Sequence, residues 1–74
     1  MTITVRLFAT LRDGRGKELN IDSINSPTPR SLLTELGIAE TDIAILLVNG
    51  RDGKLDNFLS DGDRVSVFPP VGGG

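Results

Sequence analysis

Apolar residues fall along the chain in short periodic runs separated by glycine and aspartate. Thr2–Phe8 alternates in polarity, the period of a half-buried strand, with Ile3, Val5 and Leu7 on one side and Thr4, Arg6 and Phe8 on the other. Asp13-Gly14-Arg15-Gly16 reads as a turn. It leads into a second alternating run, Lys17–Asp22, with Leu19 and Ile21 inward, so the two runs predict a hairpin. Ser23 to Pro27 reads as loop. Thr28-Pro29 opens a helix, a hydroxyl residue at the N-cap and a proline where its missing N–H costs nothing. Leu32, Leu33 and Leu36 form one stripe, and Gly37 supplies the stop. Ile43–Val48 is a continuous apolar run between Asp42 and Asn49-Gly50, short enough to favour a strand, and apolar on both faces. Arg51–Lys54 reads as a turn. Leu55–Leu59 is irregular, with Leu55 and Leu59 as core anchors. Ser60–Asp63 turns into a last strand, Arg64–Phe68, with Val65 and Val67 inward and Ser66 and Phe68 outward.

One short helix covers only one face of a sheet. The expected architecture is therefore α+β, a mixed sheet of four to five strands with the helix on one side. The first and last strands alternate most cleanly and are placed side by side at the sheet centre, the arrangement of the β-grasp, or ubiquitin-like, fold. Residues 1–68 form this domain and 69–74 a flexible tail. With 74 residues the chain makes one domain with little room for a deep cleft. It has no cysteine, which excludes disulfides, thiolate catalysis and Cys-ligated metals, and no histidine, which excludes imidazole bases and His–metal sites. A net charge of −2 argues against nucleic acid. No apolar run approaches the ~20 residues of a membrane span, and no signal sequence is evident, so a cytoplasmic protein is expected.

The tail Pro69-Pro70-Val71-Gly72-Gly73-Gly74 changes this picture. Glycine carries no Cβ, so the tip is thin and free in φ and ψ. Pro69-Pro70 favours a stiff extended base. Six extended residues reach at most ~20 Å, enough to enter a narrow channel of another protein. A terminal carboxylate, with pKa about 3.5, is a poor electrophile at neutral pH. Activation as an acyl-adenylate would open the Gly74 carbonyl to a sulfur donor or an amine. By composition alone the glycines fit a frayed end or an expression scar equally well. The residues upstream decide between these readings.

Two stretches carry a family resemblance. Val5-Arg6-Leu7-Phe8-Ala9-Thr10-Leu11-Arg12-Asp13 resembles the opening strand of the MoaD/ThiS ubiquitin-like sulfur carriers, with its Phe-Ala and Arg-acid signature. Asp61-Gly62-Asp63-Arg64-Val65-Ser66-Val67-Phe68-Pro69-Pro70-Val71-Gly72-Gly73-Gly74 is similar to that family's ending, and Val48-Asn49 fits its third strand. The Phe-Pro-Pro pair is closer to the MoaD branch, the small subunits of molybdopterin synthase, than to ThiS. The resemblance implies a protein cosubstrate, not an enzyme. An E1-like adenylating enzyme of the MoeB/ThiF type uses ATP and Mg²⁺ to activate Gly74, which then becomes a thiocarboxylate. A sulfur-accepting synthase subunit of the MoaE type, or its equivalent, takes the sulfur. No cofactor is held stably by the carrier itself. The chain departs from the pattern in its third glycine, in Arg51-Asp52-Gly53 where relatives offer an apolar contact, and in its short helix. These departures bear on the pathway: thiamin, tRNA thiolation and amino-acid synthesis use similar carriers, and a related role is ubiquitin-like modification of lysines.

Phe8 and Phe68 fall on the outward parity of strands expected to be neighbours, so they share a face with Arg6, Arg64 and Ser66. An apolar patch with charged edges beside a reactive tail reads as a partner site, built from Phe8, Arg12, Arg64 and Phe68. A covering loop of the chain itself is the alternative, as is a solvated role for Arg12. Asp61-Gly62-Asp63 lacks the ligand count for Ca²⁺ and is turn chemistry, so no metal site is expected. Gly14-Arg15-Gly16 lacks the context of a dinucleotide loop, and Glu35 and Glu40 have no paired carboxylate for acid–base work. A plain β-grasp binding module with an inert tail completes the set of readings.

Overall fold

In a computed structural model, residues 1–23 and 25–70 are described. The strands are β1 (Thr2–Leu7), β2 (Glu18–Asp22), β3 (Ile45–Val48), β4 (Arg51–Asp52) and β5 (Arg64–Phe68), with one helix, α1 (Pro29–Glu35), between β2 and β3. Short 3₁₀ turns occupy Ala9–Arg12 and Glu40–Asp42. The sheet order is β2-β1-β5-β3-β4. β1 and β5 run parallel in register Val5↔Val65 and Leu7↔Val67, and the other pairs are antiparallel. The two cleanly alternating strands are thus neighbours, and the fold is the ubiquitin-like β-grasp.

Alternation explains the core. Ile3, Val5, Leu7, Val65 and Val67 are almost wholly buried on one face of the sheet, where Leu46 joins them against Leu32 and Leu33 of α1. Leu11, Ile38 and Leu59 close the sides. The hydrophobic burial of this one layer holds a helix of only two turns, which would be marginal alone.

The helix begins and ends on local chemistry. The Thr28 hydroxyl accepts from the Ser31 amide at 3.1 Å, and the Ser31 hydroxyl accepts from the Thr28 amide at 3.1 Å, a reciprocal capping box with Pro29 in the first helical position. At the other end Gly37 has φ +76°. Its amide donates to the Thr34 carbonyl, and the Ile38 amide to the Leu33 carbonyl, the two bonds of a Schellman cap. Arg15, from the β1–β2 connection, adds a cation there: its guanidinium donates to the Leu36 and Gly37 carbonyls at 3.1 and 3.3 Å.

Four boundaries differ from the sequence expectation. β1 ends at Leu7, one residue early, because Phe8 already caps the Ala9–Arg12 turn. β2 starts at Glu18, one residue late. β3 starts at Ile45 because the Glu40–Asp42 turn tucks Ile43 against the core first; Ala44 is already bonded to β5 through its amide and the Phe68 carbonyl (2.8 Å). Arg51 and Asp52 form a short strand, not a turn. The reversal is made by Asn49 (φ +54°) and Gly50 (φ +81°), the two left-handed positions that a tight hairpin demands. The two apolar faces of this run are accounted for by its pairing. Leu46 and Val48 oppose Val67 and Val65 toward the core, while Ile45 and Leu47 oppose Phe68 and Ser66 on the outer face.

Candidate functional site

Among the described residues no helix covers the outer face of the sheet, which is organised in rows. Because Leu7 pairs with Val67 in parallel register, the next residues on both strands, Phe8 and Phe68, emerge side by side. Their rings stack at 4.1 Å between centroids and 11° between planes. Ile45, opposite Phe68 on β3 and 47% exposed, extends the row across a third strand. Offset stacking of this kind contributes about 1 kcal/mol beyond area burial, but neither ring belongs to the buried core.

The chain past Phe8 makes an abrupt change of direction. Ala9 has φ +54°, a left-handed conformation costing about 1–2 kcal/mol in a residue with a Cβ. It starts the 3₁₀ turn that drops Leu11 into the core and brings Arg12 back toward the strand. Arg12 Nε donates to the Leu7 carbonyl at 2.8 Å, which holds its guanidinium 5.4 Å from the Phe8 ring centre. Arg6 lies 5.5 Å from the same ring and 4.0 Å from Glu18. Two cations within 6 Å of one ring centre are a favourable cation–π arrangement.

Of the residues singled out in the sequence, Phe8, Phe68 and Arg12 therefore form one cluster. Arg64 is on the same face but lower on β5, beside Thr4, facing an open concavity rather than the aromatic pair. Arg6 was legible as sharing this face but not as a contact of Phe8. Ile45 lies on the face of the Ile43–Val48 run that the sequence pattern allows to extend the aromatic patch, and it does so. Phe58, 77% exposed, lies on the segment after Leu55 and takes no part in this face.

The Phe68 carbonyl, bonded by the Ala44 amide, is the end of the β3–β5 ladder. Pro69 and Pro70 follow with no N–H to extend it, so the strand ends beside the aromatic pair. Pro69 is half-buried and Pro70 exposed. Val71, Gly72, Gly73 and Gly74 lie outside the described residues.

Electrostatic pairing is strongest elsewhere. Arg30 on α1 bridges Asp56 (2.8 Å) and Glu40 (3.1 Å). Hydrogen bonding to Asp56 and Glu40 pushes Arg30 above its ordinary range, and the Arg30 hydrogen bond holds Asp56 below the usual carboxylate range. These groups are exposed and tie α1 to the loops beside it. Among the described residues there is no cluster of three potential metal ligands, and no helix is long and apolar enough to cross a membrane.

Solved structures with the same architecture include a protein of Pyrococcus furiosus provisionally assigned as molybdopterin converting factor subunit 1. It is 30% identical, with TM-score 0.77 over 96% of this chain and 99% of that one. A second is molybdopterin-converting factor of Helicobacter pylori, described as a complex of subunits 1 and 2, with 25% identity and TM-score 0.67 over the whole of both chains. A third, small archaeal modifier protein 1 of Haloferax volcanii, is 22% identical with TM-score 0.77 over 95% of this chain and 98% of that one, a likeness of fold. No curated protein sequence matches the chain significantly. The ThiS family model matches residues 5–74, which takes in all of the sheet but the start of β1, the aromatic pair and the glycine tail, and the chain belongs to that family of ubiquitin-fold sulfur carriers.

Proposed function

We propose that this chain carries sulfur as a thiocarboxylate on Gly74 and delivers it in molybdopterin biosynthesis. A Gly74 carboxylate oxygen attacks the α-phosphorus of Mg²⁺-bound ATP in an E1-like enzyme of the MoeB/ThiF type, and pyrophosphate leaves. A hydrosulfide donor then attacks the acyl carbon and AMP leaves, so one carboxyl oxygen is exchanged for sulfur. The carrier provides no acid, base or metal for these steps. It supplies a tip narrow enough to enter the enzyme at Gly72 and Gly73, a base at Pro69 and Pro70, and a grip at Phe8 and Phe68.

The observation that carries this reading is that the family match runs through residue 74 and so includes the tail as well as the fold. The molybdopterin assignment rests on the likeness to the P. furiosus protein and to the H. pylori complex, in which subunit 1 is paired with subunit 2. A sulfur-accepting subunit of the MoaE type is accordingly the proposed second partner. The proposal places the carrier in the cytoplasm.

Intact mass spectrometry of the chain produced together with the adenylating enzyme of its own organism tests the proposal. Exchange of one oxygen for sulfur at the terminus, abolished by deleting Gly73 and Gly74, is the expected result. Branches on lysines of other proteins would point to a modifier, and an unchanged mass with ATP–pyrophosphate exchange absent would leave an inert tail.

A further inference from the structure

The outer face holds a second feature, which adjoins the aromatic row and shares Arg6 with it. Below it, between β1, β5 and the β3–β4 reversal, lies an open concavity of about 520 Å³ lined by Arg6, Asn49, Gly50, Gly62, Arg64 and Ser66. The chain as a whole is acidic, with a net charge of −2, yet this hollow presents two guanidinium groups. We infer that the Arg6–Arg64 concavity receives a short acidic segment of the enzyme that activates the tail, its carboxylates pairing with the two arginines. This rests on the carrier reading above and names the chemistry of the partner's docking segment.

The hydrogen bonding around the hollow leaves the arginines as its charged donors. The Asn49 side chain is engaged at both ends: its oxygen accepts from the Arg64 amide and its nitrogen donates to Asp63, each at 3.0 Å. The other Asp63 oxygen accepts from the Ser60 amide at 2.8 Å. Asp61 accepts from the Thr2 amide at 2.7 Å, and the Gly62 amide donates to the Thr2 carbonyl. The nearby carboxylates are therefore committed to the turn. Among the described residues Arg64 forms no ion pair, and the one ion pair of Arg6 is with Glu18 at 4.0 Å, an exposed and long contact; its guanidinium, 5.5 Å from the Phe8 ring centre, keeps its N–H donors. A guanidinium offers five donors in a planar fork suited to a carboxylate.

The shape of the charge distribution selects the occupant. Both edges of the outer face are acidic, with Glu18 and Asp22 on β2 and Asp52 on β4. A long polyanion such as nucleic acid lying across the sheet would meet these rims. A free phosphate fits a guanidinium fork as a carboxylate does, but it would gain nothing from the aromatic row beside the hollow, and the titration below separates the two. A protein loop with two or three carboxylates reaches the basic centre without crossing the rims. It would also lie next to the aromatic row, so one partner surface would engage both.

The test has two arms. In the first, the full ¹⁵N-labelled chain is titrated with a blocked Glu-Asp-Glu-Leu-Asp-Glu peptide, its amide counterpart Gln-Asn-Gln-Leu-Asn-Gln, inorganic phosphate and an oligothymidylate. The acidic peptide should shift the amides of Arg6, Gly50, Gly62, Arg64 and Ser66, the neutral peptide should not, and the Arg6→Gln/Arg64→Gln variant should abolish the shifts. Shifts spread equally over Arg30, Arg51 and Lys54, equal saturation by phosphate, or tighter binding of the oligothymidylate would each overturn the inference. In the second arm, activation by the organism's adenylating enzyme is followed at low and high salt. The double variant should raise the KM for the carrier roughly tenfold at low salt with kcat unchanged, the difference shrinking as salt is added, while Lys54→Gln behaves as wild type. A double variant with wild-type KM refutes the inference even though the carrier reading stands. A wild-type chain that no adenylating enzyme activates refutes the carrier reading, and the docking inference with it.

Discussion

Truncating Phe68 to alanine separates docking from folding, and the neighbouring Val67 supplies the comparison. Val67 is wholly buried on the core side of β5. Val67→Ala removes about two methylene equivalents at ~0.8 kcal/mol each, plus a cavity penalty because the packed layer collapses only partly, for about 2–3 kcal/mol in all. Phe68 is the larger residue, yet its ring lies on the outer face against Phe8. Phe68→Ala forfeits the stack and some half-buried area, about 1–2 kcal/mol. For a domain of this size that corresponds to a fall in Tm of roughly 5–10 °C for Phe68→Ala and roughly 10–20 °C for Val67→Ala. The chain has no tryptophan or tyrosine, so urea and thermal unfolding are best read by far-ultraviolet circular dichroism. The order reverses for activation by the adenylating enzyme, measured near the temperature of maximum stability, about 15 °C, where both variants are folded. A central aromatic anchor is worth about 2 kcal/mol, so Phe68→Ala should raise the KM for the carrier ~30-fold, and Val67→Ala should barely change it. If Phe68→Ala destabilises as much as Val67→Ala, the ring is part of the core. If it leaves the KM unchanged, the aromatic row is not a docking surface.

Ala9→Gly relieves a left-handed Cβ while loosening the unfolded chain, for a net gain of about 0.5–1 kcal/mol that should appear as a higher urea midpoint; a loss would show that the positive φ carries no strain. Gly37→Ala should lose about 1 kcal/mol, because its φ of +76° belongs to the helix cap and no neighbouring atom obstructs a Cβ, which leaves backbone strain as the sole cause. The Arg30 hydrogen bond depresses the carboxyl of Asp56, so the pair contributes stability above the unfolded value near pH 4 and loses it as the pH falls through the lower folded value. Asp56→Asn should therefore flatten the stability curve below about pH 4, and an unchanged curve would mean that the pair is open in solution.

What the sequence made legible follows from the range of the interactions. The start and stop of α1 were readable because the cap lies within a few residues: Thr28, Pro29 and Gly37 act on their own turns. The aromatic pair was readable for a different reason. Parity along a strand gives the face of each side chain, and two outward aromatics meet once their strands are adjacent, so Phe8 and Phe68 needed only the central pairing of β1 with β5. Arg12 and Arg15 show where this logic stops. One reaches back to the Leu7 carbonyl and the other across to the end of α1, and nothing in the spacing of either residue encodes those partners. The Asn49-Gly50 reversal is a hairpin signal, but the Arg51–Lys54 cluster beside it is an equally good turn signal and hides the two-residue β4.

The concavity lies furthest beyond the reach of pattern. It exists because Asn49, at the end of one hairpin, is bonded to the main chain at the start of β5, which places the β3–β4 reversal beside Arg64. A single side chain thus sets both the wall of the hollow and the entry into the strand that leads to the tail. Asn49→Ala tests that coupling: it removes two hydrogen bonds and leaves a left-handed alanine, costing about 2–3 kcal/mol. Asn49→Gly accepts the backbone angle and isolates the hydrogen bonds, at about 1–2 kcal/mol. In Asn49→Gly the amide resonance of Arg64 should move strongly, having lost its acceptor, while the Phe8 and Phe68 ring signals stay near their wild-type positions. Movement of the rings instead would mean that the hollow and the aromatic row form a single mechanical unit, and that a partner gripping either one would displace the other.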